Sequence, residues 1–210
     1  KAESASYGVR TVIEIGSGDG SLMAGVLAEL GWWQRLRLRF LIVEASAPLR
    51  AQQQARLGRR CAGWFGSMEE ALAACEGRAL IFHNEVMDAF PVHLLEWQDG
   101  WKEVHLDWQD GAVREVLEAL PEWDQAAFSA LSWKPANRQR VEVMTDLRRW
   151  FAGWLPHWQR GAMLGIDYGD EFPALYHRRP RGTLRGYFMQ QRVEGPDLYA
   201  NVGRQDLTAD

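Results

Sequence analysis

Cysteine is scarce. Two cysteines in 210 residues, Cys61 and Cys75, form no Cys-x-x-Cys pair, which leaves nothing for a disulfide scaffold or a zinc ribbon. They read as buried free thiols of a reducing compartment. The five histidines lack metal-ligand spacing, so no metal is expected. No apolar run approaches the roughly 20 residues that span a bilayer, and no signal peptide is visible, so no membrane partner is expected. A basic excess is missing too. The 24 Lys and Arg stand against 28 Asp and Glu, a net charge of −4, which argues against nucleic acid as the main partner. No repeat, low-complexity tract or long polar linker divides the chain, so residues 1–210 read as a single α/β domain with a sizeable core. The chain opens on Lys1 rather than Met and stops at Asp210, so both ends read as cut.

What is present is organised around residues 11–22. The β-branched run Thr11-Val12-Ile13-Glu14-Ile15 breaks into Gly16, Gly18 and Gly20, after which Leu22, Val26 and Leu30 recur at helical spacing. That grammar is strand, turn, helix. Glycines there permit positive φ and close approach of backbone to a ligand, and a helix starting near Ser21 points free N–H groups into the same space. A dinucleotide fingerprint needs G-x-G-x-x-G for its pyrophosphate. Here the third glycine arrives one residue early, and the acid Glu14 precedes the first; an acid disfavours a pyrophosphate and suits a cationic ligand. The pattern resembles the first motif of S-adenosylmethionine-dependent methyltransferases.

The rest of the chain supports a parallel sheet. Gly31 is placed to close the first helix, and Phe40-Leu41-Ile42-Val43-Glu44 reads as a second buried strand ending in an acid that could accept ribose hydroxyls. A helix follows, with Ser46 as N-cap, Pro48 in its first turn and Gly58 past its end. Cys61 to Phe65 is a third strand candidate. Ser67 and Glu70 form a capping box for a helix presenting Met68, Leu72 and Cys75, which Gly77 ends. Ala79 to Phe82 is a fourth strand, running into His83-Asn84-Glu85-Val86-Met87-Asp88. Successive strand–helix repeats imply parallel strands with right-handed crossovers, so all strand ends face one side.

From Val92 the pattern becomes strand and tight turn, with hairpin signals at Asp99-Gly100 and Asp110-Gly111: a β-meander. Pro121 to Pro135 has no clean period and reads as a cover or lid, which places an insertion at about 93–135. A helix is predicted from about Arg138 to Leu155, with Val141, Met144, Leu147, Phe151 and Leu155 on its core face. Met163 to Gly169 reads as another buried strand, with Asp167 at its end as a site candidate, and Gly182 to Phe188 as a late one. His83 is expected to be a hydrogen-bonded strand histidine. Of the eleven tryptophans, Trp150 and Trp154 are expected in the core, and those of the meander in a second core.

The strings Glu14-Ile15-Gly16-Ser17-Gly18-Asp19-Gly20, Val43-Glu44-Ala45-Ser46, Asn84 through Val92, Ile166-Asp167-Tyr168-Gly169, Gly182-Thr183-Leu184-Arg185 and Gln205-Asp206-Leu207-Thr208 together resemble the MidA-like methyltransferases. That family includes the mitochondrial arginine methyltransferase needed for respiratory complex I assembly. The resemblance implies a Rossmann-like α/β fold with the seven-stranded class I methyltransferase sheet, S-adenosyl-L-methionine as cofactor and a protein arginine as acceptor. It implies further family segments before and after this chain. It also implies a cytoplasmic enzyme in a bacterium or a mitochondrial matrix enzyme in a eukaryote, with a protein substrate as partner and a homo-oligomer left open.

Carried over, Glu14, Gly16, Gly18 and Gly20 would hold the methionine part and Glu44 the ribose. Ser67 and Met68 would flank the adenine, and Asn84 would lie beside the transferable methyl. Glu85 and Asp88, three residues apart, are the catalytic candidates, since two carboxylates could grip a guanidinium in fork geometry. Gly66 stands where the family has an acid or another polar residue, and Gln190, Gln191 and Arg192 where relatives have histidines. A non-catalytic assembly factor and a small-molecule methyltransferase are the alternatives.

Overall fold

Thr11–Ile15 (β1), Arg39–Val43 (β2), Gly63–Phe65 (β3), Ala79–Asn84 (β4) and Met163–Ile166 (β9) form a parallel sheet in the order β3-β2-β1-β4-β9. The computed structural model that gives this arrangement describes residues 8–120 and 133–210. The sheet has five strands among the described residues, two fewer than the seven expected. Its central strands read as continuous apolar runs because both faces are covered. On one face Ile13, Ile15, Leu41, Val43, Ala79 and Ile81 meet Met68, Ala71, Leu72 and Trp154, all nearly inaccessible. On the other Phe40 and Ile42 meet Met23, Leu27, Leu57 and Cys61.

Helices Ser21–Glu29 (α1), Trp32–Arg37 (α2), Ala47–Leu57 (α3) and Met68–Ala73 (α4) lie in this unit, together with most of a later helix that carries Trp154. Ser46 caps α3 by accepting from Leu49 N, and Gly58 follows with φ 52°. Ser67 caps α4, but Glu70 reaches back to Gly66 N at 3.0 Å rather than to the cap residue. Two expectations fail here. The buried face of α1 is Met23 and Leu27, while Leu22 is exposed; the strand before it fixes which side of the helix meets the sheet. Gly31 is not a left-handed helix stop: at φ −66° it is the N-cap of α2.

The chain divides into two compact units. The parallel sheet belongs to the first, which comprises residues up to Val86 with Arg149–Asp167; the second comprises Met87–Arg148 and Tyr168–Asp210. In the second unit His93–Trp97 (β5), Trp101–Gln109 (β6), Ala112–Ala119 (β7) and Arg140–Val143 (β8) form an antiparallel sheet in the order β7-β6-β5-β8. Both hairpin signals are used: Asp110 and Gly111 have φ 51° and 80°, as a type I′ turn requires, and Asp99 has φ 54°. The region 121–132 of the expected lid lies outside the described residues.

The predicted helix 138–155 is a correction. Its first part is β8, and the helix proper is Thr145–Trp154 (α5). Arg140-Val141-Glu142-Val143 alternates with period two, and pairing with β5 buries Val141 against Leu95, Leu175 and Tyr176. Ala174–Arg178 (α6), Arg185–Phe188 (β10), Gln191–Val193 (β11) and Asp206–Thr208 (β12) complete this unit, the last three as a small sheet ordered β11-β10-β12. Among the described residues no helix is long and apolar enough to cross a membrane.

Candidate cofactor site

In a sheet ordered β3-β2-β1-β4-β9 the direction of winding reverses between β1 and β4, so the turns leaving these two strands diverge and open a crevice at their carboxyl ends. The glycine loop leaves β1 there. Gly16, Gly18 and Gly20 all lie in the left-handed region, at φ 64°, 53° and 81°. A Cβ at Gly16 would come within 2.7 Å of Val86 Cγ2, so the turn after β4 closes on the loop. A Cβ at Gly18 would meet nothing within 4 Å, so this backbone faces open space. Gly16 N donates to Val43 O at 2.9 Å and Gly20 N to Ser17 O at 2.8 Å, which fix the loop's ends.

Two acids flank the loop, with different hydrogen-bond partners. Glu14 is 1 % exposed and accepts from Ser17 Oγ at 2.7 Å. Burial pushes its pKa from 4.5 to about 7, against the lowering effect of that hydrogen bond. Glu44 lies just past β2; its Oε1 accepts from Ser46 N at 2.9 Å and its Oε2 from Gln53 Nε2 at 3.4 Å. The same Gln53 amide donates to Gly18 O at 2.8 Å. Arg50 donates to Glu44 O at 2.5 Å and Ala45 O at 3.0 Å, holding the turn after β2. The structure thus brings Gly16, Gly18, Gly20 and Glu44 together.

The other expected residues are placed as follows. Ser67 sits at the N-terminus of α4 with its hydroxyl on Glu70 N, and Met68 is fully inaccessible in the core beneath. Asn84 is exposed at the end of β4. Glu85 follows, exposed, with φ 51°, unusual for a residue with a side chain; its N–H donates to Ile166 O at 2.8 Å. Val86 N donates to Asp167 Oδ2 at 3.1 Å, so Asp167 braces the turn after β4. Asp88 is buried in the second unit, its carbonyl accepting from Ala209 N at 2.9 Å. The division between units falls between Glu85 and Asp88.

His83 corrects an expectation. It is 2 % exposed, but neither ring nitrogen finds a partner among the described residues. Burial lowers its pKa, opposed by the charge of Asp167. Gly165 is small because of it: a Cβ there would lie 2.6 Å from His83 Nε2. Sequence reading missed Gln53, Ser17 and Val86. The run Gln52-Gln53-Gln54 hides which glutamine faces inward, although Gln53 and Leu57, one turn apart, share the buried face of α3.

Fold and crevice define the class: a parallel α/β protein with an open glycine-loop crevice at its switch point. The chain belongs to the family described as "Putative S-adenosyl-L-methionine-dependent methyltransferase", whose profile matches residues 3–210. Among solved structures it is similar to an uncharacterized protein from Burkholderia thailandensis, with a TM-score of 0.84 and 28 % identity over 98 % of this chain and 55 % of that one. It is also similar to a member of the same superfamily from that organism, solved with S-adenosylhomocysteine bound. The TM-score there is 0.78 and the identity 26 %, over 98 % of this chain and 54 % of that one. The chain therefore spans about half the length of these proteins. Comparison with the curated proteins finds no match.

Proposed function

We propose that this chain binds S-adenosyl-L-methionine and transfers its methyl group to a protein arginine side chain, as a MidA-like enzyme. The observation that carries the first half is the triple left-handed glycine loop, open at Gly18, with Glu44 fixed beside it at the switch point. The residues present fit the donor. A carboxylate with one hydrogen bond to each oxygen retains acceptor capacity for a vicinal diol, which suits Glu44 to a ribose. The bare loop backbone would take the methionine part, and Glu14 would act through Ser17, gaining full charge as a cation approaches. Ser67, at the N-terminus of α4, would flank the adenine; Met68, whose side chain is inaccessible in the core, would do so only through its backbone. When bound, the cofactor supplies an electrophilic methyl on a sulfonium.

Asn84 would border that methyl. Glu85 is assigned the carboxylate that orients the acceptor guanidinium and receives the proton released as the N–C bond forms and the S–C bond breaks. Asp88 is assigned the second acid from its place in the Asn84–Val92 block. Alignment of the nucleophile and exclusion of water would provide most of the acceleration. The arginine acceptor, the two further strands of a seven-stranded sheet and a bacterial cytoplasmic or mitochondrial matrix setting all belong to this reading. The setting is supported by two free, buried or half-buried thiols whose pKa values burial raises.

Calorimetric titration with S-adenosylhomocysteine and with NAD(H) tests the donor: preference for the dinucleotide rejects it. For the acceptor, radiolabelled donor incubated with cell extract should mark a protein at arginine, and Glu85→Ala should abolish the label with the fold intact. Label on a small molecule alone would reject the protein acceptor.

A further inference from the structure

We infer that Gln53, a side chain with no surface of its own, is the positioning residue of this site, tying the glycine loop to the ribose acid. The inference rests on the reading of the site as a donor site and adds to it a residue that does not touch the ligand. Gln53 projects from the middle of α3 and is 0 % exposed. Its Nε2 donates to Gly18 O at 2.8 Å and to Glu44 Oε2 at 3.4 Å. Both partners are acceptors only, so the amide orientation is dictated: turned over, its oxygen would face a carbonyl and a carboxylate. Gln53 Oε1 is the atom left without a partner among the described residues.

The consequence is mechanical. Gly18 is the loop residue facing open space, at φ 53°, and the hydrogen bonds of Gly16 and Gly20 hold the loop only at its ends. Gln53 holds its middle. The same NH2 group fixes one oxygen of Glu44, while Ser46 N fixes the other, so the carboxylate plane is set before any ligand arrives. One turn on, Arg56 reaches Asp19 at 2.8 Å, and Leu57 lies 3.4 Å from where a Gly20 Cβ would be. The face of α3 bearing residues 53, 56 and 57 is therefore a brace for the loop. Preorganisation of this kind acts on donor affinity through Glu44, which separates it from a purely packing role.

The test is a double-mutant cycle on the purified chain, reading S-adenosylhomocysteine affinity by calorimetry. Gln53→Met keeps length and apolar fit and removes both donors. It should weaken binding about tenfold, the usual scale for a lost hydrogen bond to a charged group. On a Glu44→Gln background the same change should cost under about threefold, because the partner it acts through is already altered. Binding within about twofold of wild type, or an undiminished loss on the Glu44→Gln background, overturns the inference. A measurement on the wild-type chain needs no variant to fold: the Gln53 side-chain amide protons should exchange slowly, and more slowly with S-adenosylhomocysteine present. Exchange at the rate of an exposed amide overturns the inference as well. If the wild-type chain binds no S-adenosylhomocysteine, the donor reading falls with it; if only the variant result fails, that reading stands.

Discussion

The two units bury charge in opposite ways. In the parallel-sheet unit Glu14 leans on a single hydroxyl, Ser17 Oγ, and its pKa stands at about 7. In the antiparallel unit Glu96, Arg185 and Asp210 are buried in charge pairs. Burial pushes the Glu96 carboxyl up, but hydrogen bonds from Gln98 and Arg140 outweigh it and leave its pKa low. Arg140 also grips both oxygens of Glu115. Arg185 meets Asp210 at 2.5 Å, with side chains 6 % and 5 % exposed, and its cation lies 5.6 Å from the Tyr168 ring centre. Glu142 accepts from Thr183 N, Leu184 N and Tyr176 Oη, at 2.7, 2.9 and 3.1 Å. A paired buried charge fixes structure; an acid poised near neutrality can change state when a ligand arrives. That contrast places the responsive group beside the glycine loop.

The contrast can be broken most decisively in the second unit. Arg185→Met leaves Asp210 buried with Arg179, at 3.7 Å, as its remaining cation among the described residues, and should cost about 3 kcal/mol of unfolding free energy in urea titration. The double variant Arg185→Met with Asp210→Asn should recover most of it. A loss below about 1 kcal/mol would mean that the pair is not holding the unit.

Next in size is the lone acid. The folded pKa of Glu14 is raised from 4.5 to about 7, so its neutral form is the one the fold favours. Its contribution is complete below about pH 4.5 and is lost as pH rises through about 7. Glu14→Gln should remove that dependence. Relative to the variant, wild type should lose on the order of 2 kcal/mol between pH 4.5 and 8. Parallel stability profiles for the two proteins would place the charge of Glu14 elsewhere.

The smallest effect belongs to the exposed pair Arg56–Asp19, with side chains 41 % and 47 % exposed. Arg56→Ala should leave the melting temperature within about 1 °C of wild type, since solvent screens the pair. A larger drop would mean that the exposed arginine of the α3 brace stabilises the fold in spite of solvent screening.

Local chemistry made much of the first unit legible. Short apolar, partly β-branched strand runs, a glycine loop, Ser46 with Pro48, and Ser67 with Glu70 each carry their own start or stop signal. The meander was equally plain from Asp99-Gly100 and Asp110-Gly111. Helix 138–155 was misread because Val141, Met144, Leu147 and Phe151 satisfy a helical period, while Val141 and Val143 also satisfy a strand. A strand needs a partner, and β5 supplies it from 44 to 50 residues away.

The sequence alone determined the parallel α/β class, the glycine turn and the acid after β2, because each depends on residues within one turn or strand of one another. Tertiary structure decided that Glu14 is hidden and its pKa raised by burial to about 7, that the buried His83 ring has no hydrogen-bond partner among the described residues, that Met68 lies in the core and that Gln53 joins loop to acid. Burial and the contact of residues 35 positions apart arise only when helices close over the sheet, and no local period encodes them.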